Sequence, residues 1–164
     1  MDSISEFLLS LPTDKHDHIK ALFAGDSDSL DLGHTKLNSK TFACLVETAP
    51  VNRLKSVDLR SNPNIIELPS GTKFSALEHF NLSKCTNVAV ATIFSSYPGL
   101  NSLSLACCRL STIPDDFESI CILEHLNLRG NRFVNLPTLV TRLNHIKELN
   151  LSGNRLSDAA MVAL

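Results

Sequence analysis

The chain repeats a short pattern of apolar and polar residues along most of its length. Each copy begins with an aliphatic residue, has apolar residues at its fourth and sixth places, and has Asn or Cys at its ninth. Five copies begin 23 residues apart, at Leu54, Leu77, Leu100, Leu123 and Ile146. Because successive side chains of a strand point to opposite faces, the pattern predicts a short strand with one buried face in every copy.

The fourth and sixth places are expected to face a common core, and the polar fifth place to face solvent. One such strand cannot bury its face alone, so the copies must stack into a parallel sheet whose other side is covered by the return segments. The predicted inward residues are Val57, Leu59, Phe80, Leu82, Leu103, Leu105, Leu126, Leu128, Leu149 and Leu151. The predicted outward residues are Asp58, Asn81, Ser104, Asn127 and Asn150.

The ninth place, where the chain must turn, holds either Asn or Cys. An Asn side chain offers both a donor and an acceptor to backbone groups that a buried turn would leave unpaired. Cys is small and tolerates burial, but it forms only weak hydrogen bonds. We therefore interpret the ninth place as a structural ladder, formed by Asn62, Cys85, Cys108, Asn131 and Asn154.

Residues 1–26 precede the first strand and show helical periodicity instead. They predict two short helices, of which the second is capped by Thr13 or Asp14 and ended by Gly25. A solenoid needs a cap over the core of its first repeat. We therefore divide the chain into an N-terminal helical cap, residues 1–26, and a repeat domain of about six repeats, residues 27–164. The apolar stripes of the two helices are Ile4, Phe7, Leu8 and Leu11, and Ile19, Leu22 and Phe23.

The first repeat begins at Ser27 and is 27 residues long. Its extra length predicts a helix that is capped by Asn38 or Ser39 and closed by Pro50. Later return segments are expected to hold a short helix within residues 86–98 and one helical turn after each of two X-Pro steps, at Pro114 and Pro137. A last helix is expected after Ser157 or Asp158. Further sequence, that helix, or another molecule could cover the end of the last repeat.

The spacing and spelling of these copies resemble the leucine-rich-repeat family over residues 27–164. The long first unit resembles ribonuclease-inhibitor-type repeats, and phrases such as LEHLNLRGNRFVNLP are similar to the repeats of plant intracellular immune receptors. The chain is also similar in build to stand-alone repeat proteins that intracellular bacteria deliver into host cells. The resemblance implies an α/β leucine-rich-repeat solenoid, a right-handed superhelix with a parallel sheet on its concave face and short helices or loops on its convex face. It also implies a module that binds a protein partner.

Composition narrows the function further. The formal net charge of −2 favours neither nucleic acid nor an anionic membrane as partner. The N-terminal stretch lacks the basic start of a secretory signal, so we expect a cytoplasmic location, in the host cell if the protein is a bacterial effector. Five cysteines, an odd number, fit reduced thiols. We predict no cofactor and no metal, and the oligomeric state stays open.

Stacking aligns equivalent places of successive repeats into columns, and the outward columns predict the contact surface. Interfaces are typically anchored by Trp, Tyr and Arg. Trp is absent and the only Tyr is not on a strand, so Arg60 and Arg129 are the best anchors. The predicted partner-binding residues are Asp58, Arg60, His79, Asn81, Lys84, His125, Asn127, Arg129 and Glu148.

The third-place column also suggests an enzyme. Ser102, His125 and Glu148 would lie side by side on strands ~4.8 Å apart, in the order of a catalytic triad. We discount a hydrolase because a triad needs an oxyanion hole and a shaped pocket, whereas this face is an open sheet. A remaining alternative is a ligand-sensing part of a larger receptor or assembly. His16 and His18, on the predicted second helix, are interpreted as solvated.

Overall fold

The computed structural model of the protein describes residues 3–69, 71–114 and 122–162. They contain a six-stranded sheet in which the strands follow one another in chain order, and every neighbouring pair is parallel. Each strand covers the third to fifth places of its repeat, so the repeat length sets the register. The predicted α/β solenoid is therefore confirmed. The strands are β1 (Ser29–Asp31), β2 (Ser56–Asp58), β3 (His79–Asn81), β4 (Ser102–Ser104), β5 (His125–Asn127) and β6 (Glu148–Asn150).

The core consists of the fourth-place and sixth-place side chains, as the alternation predicts. In the first repeat Leu30 and Leu32 are 1% and 0% exposed, and equivalent residues of the next four repeats are similarly buried. Burying one such side chain contributes about 1.5–3 kcal/mol relative to leaving it in water. In the sixth repeat Leu149 and Leu151 are only half-buried. The core is therefore tight over five repeats and looser at the sixth.

The ninth-place Asn residues form the predicted ladder. Asn62 is fully buried, and its amide nitrogen donates to the carbonyl oxygens of Leu32, at 2.9 Å, and Leu59, at 2.8 Å. Its Oδ1 accepts a hydrogen bond from the Leu37 backbone N–H at 2.8 Å. Asn131 repeats the arrangement three repeats later. These bonds satisfy backbone groups of two adjacent turns, which a buried turn requires.

The ninth-place Cys residues take the same position with fewer bonds. The Sγ of Cys85 donates to the Leu59 carbonyl oxygen at 3.2 Å, and the Sγ of Cys108 donates to the Leu82 carbonyl oxygen at the same distance. Both bonds reach the preceding repeat, as the Asn bonds do. Their reading as ladder substitutes is confirmed.

The return segments carry short helices, much as the sequence predicts. Asn38 caps the third helix by accepting a hydrogen bond from the Thr41 N–H at 2.9 Å, and Ser157 accepts one from the Ala160 N–H at 3.3 Å before the last helix. The predicted turn after Pro114 falls on residues 115–121, outside the described part of the chain. The helices are α1 (Ser3–Ser10), α2 (Thr13–Ala24), α3 (Ser39–Thr48), α4 (Ile93–Ser96) and α5 (Asp158–Val162), with 3-10 turns at Val51–Arg53, Gly71–Lys73, Val90–Thr92 and Thr138–Arg142. No helix in the described ranges has the length and apolarity needed to cross a bilayer.

The two N-terminal helices pack on the first repeat. Ile19 and Leu22 of α2 join the same buried core as Leu30 of β1. Gly25 ends α2 with a φ of 75°, a backbone conformation that glycine adopts without a steric penalty. This packing is what a cap would do, and the division into residues 1–26 and 27–164 stays a prediction.

Two predicted details of α2 are wrong. The residue before its first turn is Pro12, which forms no side-chain cap, so neither Thr13 nor Asp14 has that role. His16 and His18 are both half-buried rather than solvated, and the Nε2 of His16 lies 2.7 Å from the Leu8 carbonyl oxygen. The link between Ser10 and Thr13 is short, so the Leu8 carbonyl oxygen of α1 reaches the first turn of α2.

Candidate protein-interaction surface

The outward face of the sheet has the columns that the repeat length predicts. In the third place, Ser56 of β2 pairs with His79 of β3, and Ser102 of β4 pairs with His125 of β5. The fifth-place column is equally regular, because all five strand pairs share one register. The columns therefore bring the nine predicted site residues onto one face and its adjoining turns.

The fifth-place residues hold the turns that follow the strands. Asp58 accepts a hydrogen bond from the Arg60 backbone N–H at 2.9 Å, and Asn127 accepts one from the Arg129 N–H at 3.1 Å. Asn81 does the same for the Ser83 N–H at 3.1 Å. Asp and Asn side chains commonly accept this bond from the backbone two residues on. Asp58, Asn81 and Asn127 therefore have a structural task, whatever they contribute to binding.

Arg60 lies in a cage of acidic side chains. Its Nε is 3.5 Å from Asp58 Oδ2, and its Nη2 is 3.9 Å from Asp31 Oδ2. The stem of Arg60 crosses Gly33, where an added Cβ would come within 2.9 Å of Arg60 Cγ. The guanidinium is half-exposed but has internal carboxylate partners. A partner that uses Arg60 as an anchor must therefore break these contacts, which lowers the net binding free energy.

Asp31 connects this cage to the N-terminal helices. Its carboxylate forms an ion pair with Lys15 of α2, whose side chain is only 11% exposed, and accepts a hydrogen bond from the Gly33 N–H at 2.8 Å. Burial would raise the pKa of Asp31, but the bonds from Lys15 and Gly33 and the charges of Lys15 and Arg60 outweigh it. The pKa therefore lies below its ordinary value of 3.8. Sequence reasoning missed Lys15, because only the docking of α2 on β1 brings it to Asp31.

Three other predicted residues have no internal partner. His79, Lys84 and Arg129 are exposed, and none of their side chains forms a hydrogen bond or ion pair with the rest of the described chain. Arg129 occupies the same place as Arg60, but the fifth-place residues beside it are Ser104 and Asn127, which carry no charge. These three side chains are available to another molecule at no cost in internal contacts.

The suggested triad is only partly assembled. The Nδ1 of His125 lies 3.2 Å from Glu148 Oε2, so the histidine–carboxylate contact exists. The Nε2 of His125, however, lies 4.0 Å from Glu124 Oε2, and within the described residues no hydrogen bond joins it to Ser102. Glu148 is 80% exposed. The surroundings form an open concave depression over β4, β5 and β6. The geometry gives the hydrolase interpretation no support beyond one exposed contact between a histidine and a carboxylate.

A column that sequence analysis overlooked runs along the second place of the repeat. Lys147 Nζ lies 2.8 Å from Glu124 Oε1, and Lys55 Nζ lies 3.9 Å from Glu78 Oε1. Hydrogen bonds from Lys147 and Asn101 lower the pKa of Glu124. The 23-residue spacing of these residues was the available signal, and the charges of the two lysines and two glutamates balance one another.

The described residues offer no obvious metal centre, since they contain no group of three or more His, Cys, Asp and Glu side chains arranged to hold an ion. Cys44, Cys85, Cys107 and Cys108 are free thiols.

Comparison with known proteins agrees with this architecture. The family described as "Leucine rich repeat" matches residues 98–156. The crystal structure of Listeria monocytogenes InlP matches 90% of this chain at a TM-score of 0.57, with 16% sequence identity. The match covers 53% of that chain, so the protein spans about half of its length. At this identity the likeness shows the fold alone. No curated protein matches the sequence.

The fold and the family match lead to one classification. The stacked strands, the buried leucines and the Asn and Cys ladder are the features that the repeat pattern requires, and the match covers the last three strands. Modules with this architecture generally bind proteins and are typically not enzymes. The described chain therefore has the leucine-rich-repeat fold, and residues 98–156 match the leucine-rich-repeat family.

Proposed function

We propose that the protein binds a protein partner through the concave face and the turns that follow its strands, without catalysing a reaction. The observation that carries this proposal is the group of unpaired outward side chains, His79, Lys84 and Arg129. Other predicted residues of the same face are already engaged. Asp58, Asn81 and Asn127 accept hydrogen bonds from the turns, and Arg60 lies beside acidic side chains. A partner can therefore use His79, Lys84 and Arg129 without breaking an existing contact, which favours binding.

His125 and Glu148 extend this surface toward the sixth repeat. Their mutual contact at 3.2 Å keeps both polar groups at the depression over the last three strands. Within the proposed site, Asp58, Asn81 and Asn127 support the turns, and Arg60 contributes less than Arg129. The resemblance to repeat proteins delivered into host cells favours a host protein as partner and the host cytoplasm as location.

The test compares the native chain with two variants that lose one histidine and two cationic side chains each. The concave variant carries His79→Ser, Lys84→Gln and Arg129→Gln. The control variant carries His145→Ser, Lys20→Gln and Lys40→Gln, at exposed residues away from the outward columns. Each immobilised chain captures proteins from a eukaryotic cell extract, and each captured protein is quantified by mass spectrometry and then purified for direct binding measurements.

We expect at least one protein whose affinity falls about tenfold in the concave variant, since one hot-spot side chain contributes more than about 1 kcal/mol. The control variant should bind it like the native chain. Both variants should unfold at the native temperature within a few degrees. Partners that bind all three chains equally would place the contact surface elsewhere and refute the proposal.

A further inference from the structure

Three arginines occupy the tenth place of successive repeats, Arg109, Arg132 and Arg155, and we call them the arginine ladder. All three are exposed. The Arg132 backbone N–H donates to the Leu110 carbonyl oxygen at 2.7 Å, and the Arg155 N–H donates to the Phe133 carbonyl oxygen at 2.9 Å. These bonds place the three residues on adjacent turns of successive repeats, whose strands lie ~5 Å apart.

The arginine ladder differs from Arg60 and from the second-place column, where carboxylates lie beside the cations. Arg60 has two carboxylates beside it, and the second-place column pairs Glu124 with Lys147. None of the three ladder arginines forms an ion pair with any described residue. Like charges on neighbouring strands repel each other. The ladder therefore weakens the fold slightly unless an anion covers it, although the whole chain has a net charge of −2.

We propose that the arginine ladder binds a segment of a protein partner that is rich in Asp and Glu. The planar guanidinium donates two parallel hydrogen bonds to one carboxylate, a geometry that lysine lacks. Three such groups in a row suit several carboxylates along one segment. This inference goes beyond the proposed function, because the tenth place lies outside the columns that form the proposed concave site.

A nucleic acid fits this surface less well. Proteins that bind single strands combine a basic groove with exposed aromatic side chains on which bases stack. The aromatic residue at this edge in the described chain, Phe133, is 1% exposed. Duplex binders usually have an excess of basic residues, which a net charge of −2 opposes. An acidic protein segment needs neither stacking nor a large basic surface.

The test measures fluorescence anisotropy of a labelled 12-residue peptide of alternating Glu and Ser with the full chain. The matched probe replaces every Glu by Gln, and a third probe is a labelled oligouridine. The ladder variant carries Arg109→Gln, Arg132→Gln and Arg155→Gln. The charge-matched control carries Lys20→Gln, Lys36→Gln and Lys40→Gln, which removes three exposed cations elsewhere. Among these, Lys36 is the tenth-place residue of the first repeat.

We expect the native chain to bind the Glu peptide at least about tenfold more tightly than the Gln peptide. Affinity for the Glu peptide should fall about tenfold in the ladder variant and less than about twofold in the control. Equal losses in the two variants would mean unspecific charge attraction and would overturn the inference. Tighter binding of oligouridine than of the Glu peptide would also overturn it. If the triple variant fails to fold, Arg132→Gln alone and the Glu-to-Gln probe comparison on the native chain decide the question.

Discussion

The arginine at the seventh place of the repeat has different neighbours in the N-terminal and C-terminal halves of the concave face. Arg60 and Arg129 share the seventh place of the repeat, and a fifth-place side chain accepts a hydrogen bond from the backbone N–H of each. Arg60 faces Asp31 and Asp58, whereas Arg129 faces the uncharged Ser104 and Asn127. The shared backbone role of the fifth place leaves its charge free to vary. That charge decides whether an arginine serves the fold or stays available for binding.

The largest effect is expected from removing the acid at the centre of the N-terminal half. Asp31→Ala should lower the free energy of unfolding by about 2–3 kcal/mol, because it removes the nearest carboxylate of the buried Lys15 and leaves the Gly33 N–H without its acceptor. Urea unfolding followed by circular dichroism measures this loss.

The matched substitution in the C-terminal half is Asn127→Ala. It removes only the bond to the Arg129 N–H, so we expect a loss of about 1 kcal/mol. Equal losses at the two positions would contradict the claim that the halves differ.

A smaller effect, on binding affinity, should follow when acidic residues like those around Arg60 are introduced around Arg129. The double substitution Ser104→Asp and Asn127→Asp gives Arg129 carboxylates at the places that Asp31 and Asp58 occupy around Arg60. Affinity for a concave-face partner should fall about fivefold, because that partner must now compete with an internal ion pair worth up to about 1 kcal/mol.

The control for this double substitution is Ser104→Asn, which adds similar bulk without charge. Titration calorimetry with the purified partner measures both affinities. An affinity that the two new carboxylates leave unchanged would show that Arg129 does not contact the partner.

The smallest expected effect is the change in the stability contribution of Asp31 at acidic pH. The folded-state pKa of Asp31 is depressed below 3.8, so its contribution to stability is complete above that value. The contribution is lost as the pH falls through the lower folded-state pKa, where the carboxylate becomes protonated. The stability difference between the native chain and Asp31→Asn should therefore be constant near pH 6–7 and shrink below about pH 4. Denaturant unfolding at a series of pH values measures it, and a difference independent of pH would exclude the ion pair as its source.

The sequence predicts the fold in detail because the repeat makes each strand's position depend on simple counting. The 23-residue spacing specifies the register that places Ser102, His125 and Glu148 side by side, and the alternation specifies which side chains are buried. The ninth-place ladder follows from the need to satisfy buried backbone groups. None of these inferences requires the rotamer of a side chain.

The candidate site was less predictable because it depends on pairings between side chains. The partner of Asp31, Lys15, lies on a helix whose docking the repeat pattern does not specify. The ion pairs of Arg60 with Asp31 and Asp58 depend on Gly33, because the absence of a side chain there leaves room for the aliphatic part of Arg60. The backbone at the eighth place has a positive φ even where the residue is not glycine, as at Ser61 and Lys84. This conformation was not predicted, although Gly130 and Gly153 at the same place indicated it.

The reactivity of the two ladder cysteines, Cys85 and Cys108, reports how often the solenoid opens locally. Burial raises the pKa of the Cys85 thiol, and it raises that of Cys108 to about 12, so both remain protonated at neutral pH. Alkylating reagents attack the thiolate, whereas the adjacent Cys107 is exposed and accessible from the start. Modification of Cys85 and Cys108 must therefore wait until the third and fourth coils separate from their neighbours. The delay between the labelling of Cys107 and the labelling of Cys85 and Cys108 therefore measures how often the middle of the solenoid opens.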